Sequence, residues 1–62
     1  MAGRKEVWTV NVAGNQVANA KAEGYNAYHA SGVTAVEIPA TGKADAGRKA
    51  RKAGFKVLFV FL

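Results

Sequence analysis

The chain has 62 residues, half of them apolar, with nine lysines and arginines against four acidic residues and a formal net charge of +5. This length allows one small domain, and the apolar fraction is too high for a disordered chain. There is no cysteine and only one histidine, which excludes disulfides, thiolate metal sites and a zinc site built from histidines.

The first half of the chain predicts a strand, a short helix and a second strand. Residues 1–6 are expected to form a flexible basic N-terminus, and residues 7–12 then alternate apolar and polar side chains with the two-residue period of a half-buried strand. We expect Asn15 to cap a helix that runs to about Glu23 and ends at Gly24. Residues 25–30 are predicted to form the second strand.

A tight hairpin and a third strand follow. Ser31 and Gly32 are typical of a two-residue turn, and residues 33–38 predict the strand that leaves it. We expect Pro39 to end this strand, because proline has no N–H to donate to the ladder.

The second helix is predicted to have a packed side and a basic side. We expect Thr41 to cap it and Gly54 to end it. On a helical wheel the small residues Ala46, Gly47, Ala50, Ala53 and Gly54 gather opposite Arg48, Lys49, Arg51 and Lys52. Gly42 and Gly47 are interpreted as positions of close helix-to-sheet packing, since Ala44 follows Gly42-Lys43 where a phosphate-binding Walker A loop requires serine or threonine.

The last strand, residues 56–62, is apolar on both of its faces. Simple alternation places Val57, Phe59 and Phe61 on one face and Leu58, Val60 and Leu62 on the other. Helices on one side of a sheet cover only one of these faces. We therefore expect a homo-oligomer, or docking of a partner, through Leu58, Val60 and Leu62.

The two halves repeat one order of elements, namely strand, helix, glycine stop, aromatic residue and strand. Two such βαβ units predict an α+β domain of the ferredoxin-like type, in βαββαβ order. The sheet is expected to be four-stranded and antiparallel, with two helices on one face and residues 1–62 forming a single domain.

These repeats resemble the SPOR family of peptidoglycan-binding domains. The resemblance lies in the strand 8–12, Trp-Thr-Val-Asn-Val, and in the helix exits Ala22-Glu23-Gly24-Tyr25 and Lys52-Ala53-Gly54-Phe55. It implies a tandem βαβ fold and binding of peptidoglycan glycan strands. The helices are rich in alanine where that family has leucine, and no glycan-contacting residue is carried over.

Nothing in the sequence indicates catalysis. The four acidic residues fall on different predicted elements, and His29 has neither a nucleophile nor a carboxylate as an identifiable partner. We therefore expect a non-enzymatic protein without a cofactor, in which His29 is an ordinary strand residue.

A cluster of basic residues in and beside the second helix is the strongest functional signal. Such a cluster is suited to nucleic acid, where each cation that neutralises a phosphate releases a counterion, or to an acidic protein partner. It is also typical of a solvated helix face. The candidate binding residues are Lys43, Arg48, Lys49, Arg51, Lys52 and Lys56, with Arg4 and Lys5 at the N-terminus.

Other interpretations remain open. Trp8, Tyr28, Phe59 and Phe61 lie on predicted strands, where aromatic rings either stack on unpaired bases or, as we expect here, pack in the core. A compact basic chain also resembles the small proteins with which phages inhibit host enzymes, through an exposed strand edge. With no apolar stretch of spanning length and no export signal, we expect no membrane span and a cytoplasmic protein.

Overall fold

The computed structural model describes residues 5–62, which form a four-stranded antiparallel sheet and two helices. The strand order β2-β3-β1-β4 is compatible with the ferredoxin-like arrangement, and the predicted α+β fold is confirmed. The elements are β1 (Glu6–Ala13), α1 (Val17–Ala22), β2 (Asn26–Ala30), β3 (Val33–Ala40), α2 (Lys43–Lys52) and β4 (Val57–Phe61).

The core lies between the sheet and the two helices. Val10 of β1 pairs with Val36 of β3, and both side chains are fully buried on the face that the helices cover. The helices bring small side chains to this face, so they approach the sheet closely. The core cluster consists of Val10, Val12, Ala20, Val36, Ile38, Ala40, Ala46, Ala50 and Phe55.

Both helices end in the same type of hydrogen-bonded turn. The Gly24 N–H donates to Lys21 O at 3.0 Å and the Tyr25 N–H donates to Ala20 O at 2.9 Å. At the end of α2, the N–H groups of Gly54 and Phe55 repeat these bonds at 3.0 and 3.1 Å, to the carbonyls of Arg51 and Ala50. Both are Schellman motifs with a glycine at positive φ, so the predicted glycine stops are confirmed.

The start of α1 differs slightly from the prediction. Gln16 is the N-cap residue, and its side chain makes no capping bond. Asn15 lies one position earlier, where its Oδ1 accepts a hydrogen bond from the Val17 N–H at 3.3 Å. Asn15 thus satisfies one free donor of the first turn from outside the cap position.

Strand β3 begins as predicted and ends later. Ser31 and Gly32 both have positive φ, as a type I′ hairpin turn requires. The prediction that Pro39 ends the strand is wrong, because β3 continues to Ala40 with Pro39 opposite Val7. The pairing with β2 stops at Glu37. Beyond that residue β3 has a neighbour on one side only, where a proline is tolerated.

A β-bulge in β4 changes which face its side chains occupy. Asn11 pairs with Phe59, whereas the next residue of β1, Val12, pairs with Val57. Leu58 is therefore an extra residue, and the alternation of side chains is shifted by one position there. Consequently Val57 and Val60 both pack against the core, and the predicted grouping of Val57 with Phe59 is wrong.

Candidate functional site

Helix α2 has the two sides that the sequence predicts. Ala46 and Ala50 are fully buried against the sheet. On the opposite side Arg48, Arg51 and Lys52 are exposed to solvent. Because Arg51 and Lys52 follow Arg48 by three and four residues, their side chains lie one turn from Arg48 along the same side of the helix, in an exposed stripe.

Lys49 does not belong to this exposed stripe. Its Nζ donates a hydrogen bond to Pro39 O at 2.8 Å and lies 3.5 Å from Asp45 Oδ2. Its side chain is one-third exposed. Lys49 was predicted among the solvated basic residues, but it folds back and ties α2 to the end of β3.

Asp45 organises the first turn of α2. Its Oδ2 accepts hydrogen bonds from the N–H of Thr41 at 3.1 Å and from the Thr41 hydroxyl at 3.3 Å, and its Oδ1 pairs with the Arg48 guanidinium. The Thr41 N–H is the main cause that lowers the pKa of Asp45 below its ordinary value of 3.8, aided by the charges of Lys49 and Arg48 against the opposing effect of burial.

The prediction that Thr41 caps α2 is wrong, because Thr41 donates hydrogen bonds to a side chain of the helix and does not accept one from the helix backbone. Gly42, not Thr41, is the N-cap residue. The carboxylate of Asp45, in the first turn, reaches back to the backbone N–H of Thr41. The bond resembles the acidic half of a capping box, but it is displaced by one residue, because a capping box bonds the N–H of the N-cap residue itself.

The remaining candidate cations lie at the two ends of α2. Lys5 lies near the start of α2. The residue after it, Glu6, pairs with Ala40, and α2 begins three residues after Ala40. Lys43 is the first residue of the helix and is exposed, and exposed Lys56 follows the helix at its other end. Arg4 lies outside the described residues.

A shallow groove of about 280 Å³ lies between the ends of the two helices. It is lined by Glu23, Tyr25, Lys49, Lys52 and Ala53. Two lysines would favour an anion there, but Glu23 contributes a carboxylate to the same groove and Lys49 is already bonded elsewhere. The groove is therefore a weaker anion site than the exposed stripe.

The other face of the sheet carries no helix and displays aromatic side chains. Tyr28, Phe59 and Phe61 are 66%, 69% and 48% exposed. The prediction that these rings pack in the core is thus wrong for all three. Trp8 alone packs against the core, where its buried Nε1 finds no hydrogen-bond partner within residues 5–62.

The three residues predicted to dock a partner have separate environments. Val60 faces the helices and packs against the core, so it is not part of an outer surface. Leu58 is the bulge residue, 43% exposed, and Leu62 follows β4 and is 69% exposed. The side chains that β4 presents on the open face are those of Phe59 and Phe61.

A hollow beside Tyr28 was not anticipated from the sequence. It measures about 180 Å³ and is lined by Asn11, Tyr28, Ala30, Val33 and Ala35. Alternation within a strand indicates which of its residues share a face. Which residues of β1, β2 and β3 lie next to one another depends on the strand register, which the alternation does not give.

Residues 5–62 contain neither a metal-binding cluster nor a helix that could span a membrane. His29 is exposed on β2 opposite Thr34. Across residues 5–62, no three histidine or acidic side chains converge to hold a metal ion. None of the helices described in this range has the length and apolar character needed to cross a membrane.

Comparison with family models, curated proteins and solved structures found no match to this chain.

Proposed function

We propose that this protein is a small non-enzymatic binding module whose second helix contacts nucleic acid or another polyanion. The observation that carries the proposal is the exposed stripe of Arg48, Arg51 and Lys52 on a helix whose opposite side is packed. A polyanion that lies along α2 meets these three cations without any change in the fold.

The distribution of charge supports this use of α2. Six of the nine cations lie between Lys43 and Lys56, and Asp45 is the only acidic residue in that segment. Asp45 neutralises part of the charge of Arg48. Arg51 and Lys52 make no salt bridge among the described residues, so both remain available to a ligand.

The helix has the right length for several phosphates. Ten residues extend over about 15 Å, and Lys43 and Lys56 continue the positive potential beyond both ends. Three or four phosphate contacts would give a plot of log K against log salt with a slope of about −3 on double-stranded DNA. Such contacts carry no base sequence information, so we expect binding with little sequence preference.

The basic residues at the end of α2 also stabilise the helix itself. Lys49, Arg51 and Lys52 occupy its last turn, where cations interact favourably with the helix dipole. A test of binding must therefore compare folded variants, and it must separate the position of the charges from the net charge of the protein.

The test is fluorescence anisotropy with a labelled DNA duplex and a labelled single-stranded RNA, at about 50 and 200 mM salt. The variant is Arg48→Gln, Arg51→Gln and Lys52→Gln, which leaves the tethered Lys49 intact. The matched control is Ala18→Glu with Lys21→Glu, which changes the net charge equally but on the exposed side of α1. Circular dichroism checks that both variants are folded.

We expect the α2 variant to lose at least tenfold in affinity and to have a salt slope about 3 units shallower, because each cation removed subtracts about one unit. The α1 control should lose much less. Absence of binding by the wild type at low salt, or equal losses in both variants, would contradict the proposal. An acidic peptide that competes better than DNA would identify an acidic protein as the partner.

A further inference from the structure

The open face of the sheet combines a protruding ring with a hollow that begins in the same row and extends to the row of Ala30 and Val33. Register places Tyr28 opposite Ala35, Ala35 beside Asn11, and Asn11 opposite Phe59. The row therefore has an aromatic residue on each edge strand and two smaller residues between them. The hollow of about 180 Å³ lies over β3 next to Tyr28, and Phe59 stands on β4 with 69% of its surface exposed.

The ring and the hollow are placed symmetrically about β1. Strand β3 lies on one side of β1 and β4 on the other, each about 4.8 Å away. A two-fold axis that runs parallel to the strands above β1 exchanges these two positions between facing sheets. It would carry Phe59 of one copy onto the hollow of the other, in the same row.

We propose that a second copy of this chain packs on the open face around such an axis. Each Phe59 ring then fills the partner's hollow and lies beside Tyr28, while the two Asn11 side chains face each other near the axis. The interface is self-complementary, as two-fold symmetry requires. The two sheets pack with nearly aligned strands, as in β-sandwiches. Helix α2 lies on the far side of each sheet, so this inference is independent of the proposed binding function.

The charge of the face favours a second copy over a polyanion. The only charged side chain that the four strands direct to this face is Glu37, in the row of Thr9 and Phe61. Within the four strands this face carries a carboxylate and no cation, so it offers nothing there to neutralise the phosphates of nucleic acid or an anionic membrane surface. Lys56, whose carbonyl oxygen accepts a hydrogen bond from the Ala13 N–H, lies just before β4 begins. A face with exposed rings and a single charged side chain is suited to another such face instead.

The size of the face sets the expected strength. Four strands of about 4.8 Å spacing and roughly six residues at 3.3 Å each make a face of about 19 by 20 Å. This places the interface at the small end of specific ones, below about 1,200 Å² in total. We therefore expect a dimer that dissociates in the micromolar range.

The absence of cysteine from the chain allows a direct test. Asn11→Cys places a thiol near the proposed axis, and Ala44→Cys places one on the exposed side of α2 as a control. A short bismaleimide crosslinker should convert Asn11→Cys to a covalent dimer at about 50 μM protein and leave Ala44→Cys largely monomeric. Sedimentation equilibrium of the wild type should show a monomer–dimer equilibrium over the same range.

Two further substitutions test the fit of ring and hollow. In the Asn11→Cys background, Phe59→Ser removes the ring and Ala30→Leu fills the exposed edge of the hollow, and both should abolish crosslinking. Leu62→Ser, an equally exposed apolar residue outside the row, should leave it unchanged. Equal crosslinking of Asn11→Cys and Ala44→Cys, or a wild type that sediments as a 6.5 kDa monomer at 100 μM, would overturn the inference.

Discussion

The hydroxyl of Thr34 donates a hydrogen bond to the carbonyl oxygen of Gly14 at 2.6 Å. The Thr34 hydroxyl oxygen also accepts a hydrogen bond from the N–H of Gln16 at 2.8 Å. Thr34 is the only polar residue among the fully buried side chains of the described structure. It joins β3 to the loop between β1 and α1, and so it fixes where the first helix begins.

Replacing Thr34 with valine should therefore destabilise the fold although the shape is preserved. The variant leaves the Gly14 carbonyl and the Gln16 N–H without their partner, at a cost of about 1–3 kcal/mol. Urea denaturation followed by circular dichroism measures the change. Thr34→Ser keeps the hydroxyl and should retain more stability than Thr34→Val; the opposite ranking would show that the methyl group matters more than the two bonds.

The carboxylate of Asp45 should make the stability of α2 depend on pH. Its pKa in the folded protein is lowered chiefly by the Thr41 N–H. A lowered folded pKa contributes stability at pH values above the ordinary pKa, and this contribution is lost as the pH falls through the folded pKa. Asp45→Asn should thus be less stable than the wild type at pH 7.

The stability gap between the wild type and Asp45→Asn should close as the pH falls from about 5 to about 2. Denaturation midpoints at several pH values measure it. Glu23→Gln removes a carboxylate for which the described structure shows no hydrogen bond or salt bridge, and it serves as the control. A gap that stays constant down to the lowest pH would show that the charge of Asp45 does not stabilise the first turn.

Ala50 should not tolerate a larger side chain. It is fully buried between α2 and the sheet, so Ala50→Leu overpacks the core and should cost about 1–3 kcal/mol. Ala44→Leu is the matched control, because Ala44 is exposed on the same helix. An unchanged denaturation midpoint for Ala50→Leu would contradict the burial of Ala50 between α2 and the sheet.

Gly47 should accept alanine, contrary to the interpretation of this glycine as a close-packing position. A Cβ added there would lie 3.4 Å from Arg51 Nη1 and 3.7 Å from Val60 Cγ2, which are ordinary contacts. Alanine is favoured over glycine inside a helix by about 1 kcal/mol. We expect Gly47→Ala to raise the free energy of unfolding by about 0.5–1 kcal/mol. A lower denaturation midpoint would show that the close approach of α2 to β4 needs the glycine.

The sequence by itself determined the features that depend on neighbouring residues. Three predicted features correspond to observed elements: the strand at residues 7–12, the turn at Ser31-Gly32, and the helix ends at Gly24 and Gly54. The two sides of α2 also follow from helical spacing alone. These signals are local because backbone dihedral preferences and side-chain period act within a few residues.

Tertiary structure alone decided which exposed and buried positions come together. Relative to Val57, the single extra residue at Leu58 turns Val60 to the core face and Phe59 to the open face, and no local preference encodes that bulge. Lys49 leaves the basic stripe because the carbonyl of Pro39, ten residues away, lies within hydrogen-bond distance. Whether a side chain is buried, paired or free depends on partners distant in the chain, and strand register and helix docking bring these partners into contact.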